Sequence, residues 1–152
     1  MNTTGRILAI DYGERRLGVA ISDPMRTIAQ GLPTIQVTGL RQMLAALETI
    51  ITSQQVTEIV VGWPINLKGE ATNAAQQVEH FIQHLEHRFH LPIHRWDERW
   101  SSIEAQRTIW QFGKSPSRFK SKVDQIAATL ILQSFLDYLK TKKQTPNQDQ
   151  KT

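Results

Sequence analysis

The stretch that most restricts how this chain can fold is Ile7-Leu8-Ala9-Ile10-Asp11-Tyr12-Gly13-Glu14-Arg15-Arg16-Leu17-Gly18-Val19-Ala20-Ile21-Ser22-Asp23. Two apolar runs flank a short glycine-containing turn, which predicts a β-hairpin with strands at about Arg6–Asp11 and Leu17–Ser22. Asp23-Pro24 ends the second strand, because proline cannot continue the ladder. Packing poorly explains an acid at the carboxyl end of the first strand. Asp11 either makes an Asx-turn that stabilises the hairpin or acts as a metal ligand or general base. Glu14, Arg15 and Arg16 concentrate further charge at the same sheet edge.

The rest of the chain can be tested for acids that join Asp11. A third strand is expected at Thr34–Val37, then a helix capped by Thr38, with Leu40, Met43, Leu44, Leu47, Ile50 and Ile51 on one face. Glu58–Gly62 is a short apolar run without alternation, as in a strand covered on both faces. Gly62-Trp63-Pro64 opens a loop that extends to Gly69. A helix follows from about Thr72, with Val78, Phe81, Ile82 and Leu85 in its apolar stripe, and Pro92 closes it. Ile93–Trp96 is a last strand, followed by Asp97-Glu98-Arg99. Further helices are expected from about Ser101 and from about Ser121, the latter with Val123, Ile126, Ala127, Leu130, Ile131 and Phe135 inward. The order β-β-β-α-β-α-β-α-α places strands one, four and five parallel, with their carboxyl ends on one edge. In open α/β sheets ligands bind at that edge. Asp11, the Gly62-Trp63-Pro64 loop and Asp97-Glu98 all fall there.

At 152 residues the chain fits one domain, read as residues 1–140, with a polar tail at 141–152 expected to be disordered. It has no cysteine, which excludes disulfides, thiolate catalysis and Cys-ligated metal sites. No run reaches the roughly 18 apolar residues of a membrane span, and the first residues lack the pattern of a signal peptide. A cytoplasmic protein with no membrane partner is therefore expected. The net charge of +4 and pI of about 9.6 suit a polyanionic partner.

Each candidate has a structural alternative. Asp97 and Glu98 can be a charged loop before a helix, and Arg99 can neutralise one of them. Ser101 and Glu104 fit a capping box, which accounts for Glu104. Ser121-Lys122-Val123-Asp124 fits a capping pattern too, so Asp124 is explained equally by structure or by catalysis. Lys114, Arg118, Lys120 and Lys122 form a basic loop without an acid. It can hold phosphates or be a solvated loop, and Phe119 within it can stack on a base. Lys140, Lys142 and Lys143 suit a solubilising tail or added phosphate contacts. His80, His84 and His87 lie opposite the apolar stripe of their helix, as on a solvated face. Trp63, Trp96, Trp100 and Trp110 read as core or loop anchors, with stacking the alternative for Trp63 and Trp100. Oxygen donors without cysteine suit Mg²⁺ or Mn²⁺.

The segments from Asp11 to Asp23, Gly62-Trp63-Pro64 through Gly69, Asp97-Glu98-Arg99 and Lys122-Val123-Asp124-Gln125-Ile126-Ala127-Ala128 together resemble the YqgF family, known as Holliday junction resolvases or pre-16S rRNA nucleases. The resemblance implies an RNase H-like α/β fold: a five-stranded mixed sheet of order 3-2-1-4-5 with helices on both faces. It implies Asp11, Glu98 and Asp124 as the catalytic, metal-binding acids, and it favours Glu98 over Asp97. It also implies cleavage of structured nucleic acid, with the 5′ end of pre-16S rRNA the foremost substrate. Ser101-Ser102 stand where the family usually has threonines, and the hydroxyls are retained.

The expected protein is thus a Mg²⁺- or Mn²⁺-dependent nuclease acting on pre-rRNA, in contact with the ribosome or its precursors. Arg15, Arg16, Arg99, Lys114, Arg118, Lys120 and Lys122 would hold phosphates. Its competitors are a resolvase of branched DNA, a non-catalytic RNA-binding module, and a nucleotide binder related to sugar kinases and actin. The last normally needs two such lobes.

Overall fold

Asp11 lies one residue from the end of β1 (Arg6–Tyr12), the central strand of a five-stranded sheet ordered β3-β2-β1-β4-β5. The computed structural model describes residues 5–64, 73–101 and 117–144, with the side chains of residues 101–121 and 143–144 outside the description. β2 (Arg16–Ser22) returns antiparallel to β1, with Asp11 opposite Gly18. β3 (Ala29–Gln36) adds antiparallel to β2. α1 (Leu40–Ser53) leads to β4 (Val56–Trp63), and α2 (Asn73–Arg88) leads to β5 (Ile93–Asp97). β4 lies parallel to both β1 and β5. A 3₁₀ turn (Glu98–Ser101) follows β5, and α3 (Ser117–Gln144) is the last helix described. This is the strand order expected from the resemblance.

Alternation along β1 divides the core. Leu8 and Ile10 face α1 and α2, where they meet Met43, Leu47, Phe81, Ile82 and Leu85. Ile7 and Ala9 face α3, where they meet Ala128, Ile131, Leu132 and Phe135. The sheet is therefore covered on both sides. Its central strands read as continuous apolar runs for that reason.

Five features differ from expectation. β3 begins at Ala29, well before Thr34. Pro33 hides it in the sequence, yet the ladder shifts register there, as is tolerated on an edge strand. The N-cap of α1 is Gly39 and makes no side-chain cap bond; Thr38 instead donates its N–H to the Gln42 side chain, 2.9 Å away. α3 begins at Ser117, so the stretch from Arg118 to Lys122 is helical and not a loop. The buried stripe of α3 is rotated from that expected: Ala127, Ala128, Ile131, Leu132, Phe135 and Leu136 are inside, and Ile126 is 37% exposed at its rim. This helix also runs to Gln144, past residue 140. The helix expected from about Ser101, Glu104, Trp110 and Lys114 lie outside the described residues.

Candidate active site

The site is built around Asp11 by two glycines. Odd-numbered positions of β1 face α3, so Asp11 points to the same side as Ala9. Its neighbour on β2 is Gly18, and its neighbour on β4 is Gly62, one step beyond the Ile10–Val61 pair. A Cβ on Gly18 would collide with the carbonyl oxygen of Asp124. A Cβ on Gly62 would lie 2.6 Å from Ile131 Cδ1 and 3.1 Å from Glu98 Oε1. Glycine inside an apolar strand often marks such close approach. Gly18 lets α3 bring Asp124 against the hairpin, and Gly62 lets Glu98 fold over β4. Gly62 belongs to the Gly62-Trp63-Pro64 loop already placed at this edge by the sequence, whereas the role of Gly18 was signalled only by its place inside an apolar strand.

The two acids nearest this row are almost wholly buried: Asp11 is 7% exposed and Glu98 4%. Both line a cleft of about 130 Å³ together with Gly62, Pro64 and Gln77. Asp97, at the end of β5, pairs in register with Trp63. The Arg99 guanidinium forks onto Asp97, with Nη2 2.7 Å from Oδ2 and Nε 3.1 Å from Oδ1. The Arg99 backbone N–H also donates to Asp97 Oδ1 at 2.9 Å. These bonds, chiefly the side-chain one, hold the Asp97 carboxyl below the usual range against the opposing effect of burial. Asp97 therefore has a structural charge partner, and Glu98 is the acid that shares a cleft with Asp11. Arg99, expected to face phosphates, is engaged by Asp97.

Asp124 lies inside α3. Because the helix starts at Ser117, Ser121 is interior and cannot be an N-cap, so the capping explanation for Asp124 falls. Its Oδ2 accepts a 2.7 Å bond from Arg16 Nε, across 108 positions of sequence. A second cleft, of about 310 Å³, is lined by Asp11, Glu14, Arg15, Arg16 and Asp124. Asp11 is the wall between the two clefts. Asp11 thus lines one cleft with Glu98 and the other with Asp124. Among the described residues, no group of three acidic or histidine side chains is arranged to hold a metal ion.

The donor chemistry nevertheless fits a hard cation. An all-oxygen donor set without cysteine suits Mg²⁺ or Mn²⁺. Arg15 and Lys122 are exposed near this edge. Arg118 and Lys120 lie on the first turns of α3 with side chains outside the described residues, as does Lys114 entirely. His94, remote from the clefts, bonds Glu58 at 2.9 Å.

Known proteins resemble this chain in sequence and in fold. A family model described as RuvX, Holliday junction resolvase, matches residues 5–138. A protein of Koribacter versatilis, named "Putative pre-16S rRNA nuclease", is 44% identical over 133 residues, covering 88% of this chain and 87% of that one. A protein of the same name from Desulfitobacterium hafniense is 41% identical over 90% of this chain and 95% of its own. Among solved structures, Thermus thermophilus RuvC in complex with a Holliday junction substrate superposes with a TM-score of 0.53 at 11% identity. That match covers 84% of this chain and 91% of RuvC, and it shows that the fold is RNase H-like.

Proposed function

This chain belongs to the RuvX family, and on that premise we propose that it is a divalent-metal-dependent nuclease that matures the 5′ end of pre-16S rRNA in the cytoplasm, on the ribosome or its precursors. The observation that carries this reading is the buried Asp11 shared by two clefts, one completed by Glu98 and the other by Asp124. Asp11, Glu98 and Asp124 would hold Mg²⁺ or Mn²⁺. Such ions stabilise the attacking and leaving oxygens of a phosphodiester displacement. Glu98 orients the attacking water from the floor of the smaller cleft. Arg15 and Lys122 meet the phosphates flanking the cut, without reading sequence. Arg16 joins them when it leaves Asp124.

A junction-resolving activity is the second reading. The description of the matching family and the likeness to RuvC favour it. One experiment addresses both. The purified protein is given a structured RNA spanning a pre-16S 5′ end and, separately, a four-way DNA junction, each with Mn²⁺. The expected result is a single RNA cut that Asp11→Asn reduces on the order of 100-fold. Paired symmetric nicks in the junction with intact RNA would instead establish the resolvase reading. Unchanged cleavage by Asp11→Asn would remove both.

A further inference from the structure

Beside the acids lies an aromatic surface that the hydrolytic chemistry does not use. Trp96 is buried against α3, and its Nε1–H donates to Ser134 Oγ at 2.7 Å. Its ring meets Trp100 edge-on at 4.8 Å and Tyr138 at 5.3 Å. Trp96 is thereby fully employed as a base, while the two rings it supports are turned to solvent. Trp100 is 62% exposed and Tyr138 47%. A large ring left in water needs a reason, since indoles are highly buried on average.

Its place in the fold supplies one. Gly18, Asp11, Gly62 and Trp96 form one row across β2, β1, β4 and β5. Strands are about 5 Å apart, so Trp96 stands roughly 10 Å from Asp11 along that row. Trp100 shares the 3₁₀ turn with Glu98, two residues on. On α3, Lys142 follows Tyr138 by one helical turn and is exposed. A cationic side chain beside an open aromatic surface suits a single-stranded polynucleotide, whose bases stack and whose phosphates need positive charge.

We propose that Trp100 and Tyr138, supported by Trp96, form a stacking platform for an unpaired nucleobase next to the phosphodiester held at Asp11. This inference rests on the nuclease reading and narrows its substrate class. The preferred nucleic acid has unpaired nucleotides adjoining the cut, not an uninterrupted duplex. Stacking on a π-face is tolerant of base identity, so the platform selects strandedness and not sequence.

The test uses the full chain carrying Asp11→Asn, so that the RNA survives binding. Two RNA hairpins are compared, one blunt and one with a single-stranded extension containing 2-aminopurine beside the duplex. The parent protein should quench 2-aminopurine fluorescence on binding. Trp100→Ala should abolish that quenching and weaken binding of the extended hairpin about tenfold. Binding of the blunt hairpin should stay within about twofold. Trp100→Phe should restore most of the affinity for the extended hairpin, and Tyr138→Ala should reduce the quenching partially. Retained quenching and affinity in Trp100→Ala would overturn the platform while leaving the nuclease reading intact. Equal weakening for both hairpins would also overturn it, as a general structural effect. A parent that binds neither hairpin would overturn the nuclease reading and the platform together.

Discussion

The missing Cβ at Gly18 and Gly62 lets Asp124 and Glu98 close in on either side of Asp11, and this makes the row sensitive to a single methyl group. At Gly62 the intruding Cβ would meet both Ile131 and Glu98. Gly62→Ala is therefore expected to displace the Glu98 carboxylate and to destabilise the chain by about 1–3 kcal/mol, the usual cost of overpacking. Urea unfolding and a cleavage assay check it; an active variant of unchanged stability would show that the contact is not restrictive. Arg16 presents a different case. Its guanidinium sits on Asp124 where a metal ion would compete for the same oxygen. Arg16→Gln is expected to tighten Mn²⁺ binding, measured by calorimetry, by up to about fivefold, consistent with roughly 1 kcal/mol for a partly exposed ion pair. An unchanged or weaker Mn²⁺ affinity would mean that Arg16 does not compete with the ion.

The connection between β2 and β3 shows how one carboxylate shapes an element. Asp23 Oδ1 accepts the backbone N–H groups of Thr27 at 2.7 Å and Ile28 at 2.8 Å, and Oδ2 accepts the Thr27 hydroxyl at 2.9 Å. The Ile28 amide and then the Thr27 groups bring its pKa down to about 2. The folded value lies below the unfolded one of about 3.9. Its contribution is therefore complete above about pH 4 and is lost as the pH falls through about 2. The stability difference between the native chain and Asp23→Asn, from urea midpoints, is expected to shrink as the pH falls from neutral toward 2. A difference independent of pH would contradict this assignment. Other elements were legible to different degrees. The β1–β2 hairpin and the stripes of α1 and α2 could be read directly, because a buried face imposes its period on the sequence. The start of β3 could not, since an edge strand tolerates Pro33 and polar residues. The start of α3 was obscured because Ser121-Lys122-Val123-Asp124 imitates a cap that the helix does not use.

Across the whole molecule, topology brings distant acids to the carboxyl ends of parallel strands. Asp11 and Glu98 could be assigned to one edge from element order alone, and the structure puts them in one cleft. The pairing of Arg99 with one of Asp97 and Glu98 was expected, and the structure gives it to Asp97. The engagement of Asp124 by Arg16 was not legible, because it depends on side-chain directions that spacing does not determine and spans 108 positions. The aromatic surface was only half visible, because Tyr138 lay in no motif and meets Trp96 only through the packing of α3 on β5. The claim on which the functional reading depends is that Asp11 and Glu98 together hold a divalent ion. The most direct measurement is anomalous X-ray scattering from a crystal of the full chain soaked in Mn²⁺. The expected result is a Mn²⁺ peak within bonding distance of both the Asp11 and Glu98 carboxylates, absent in Asp11→Asn. Mn²⁺ bound elsewhere, with none at Asp11, would contradict it.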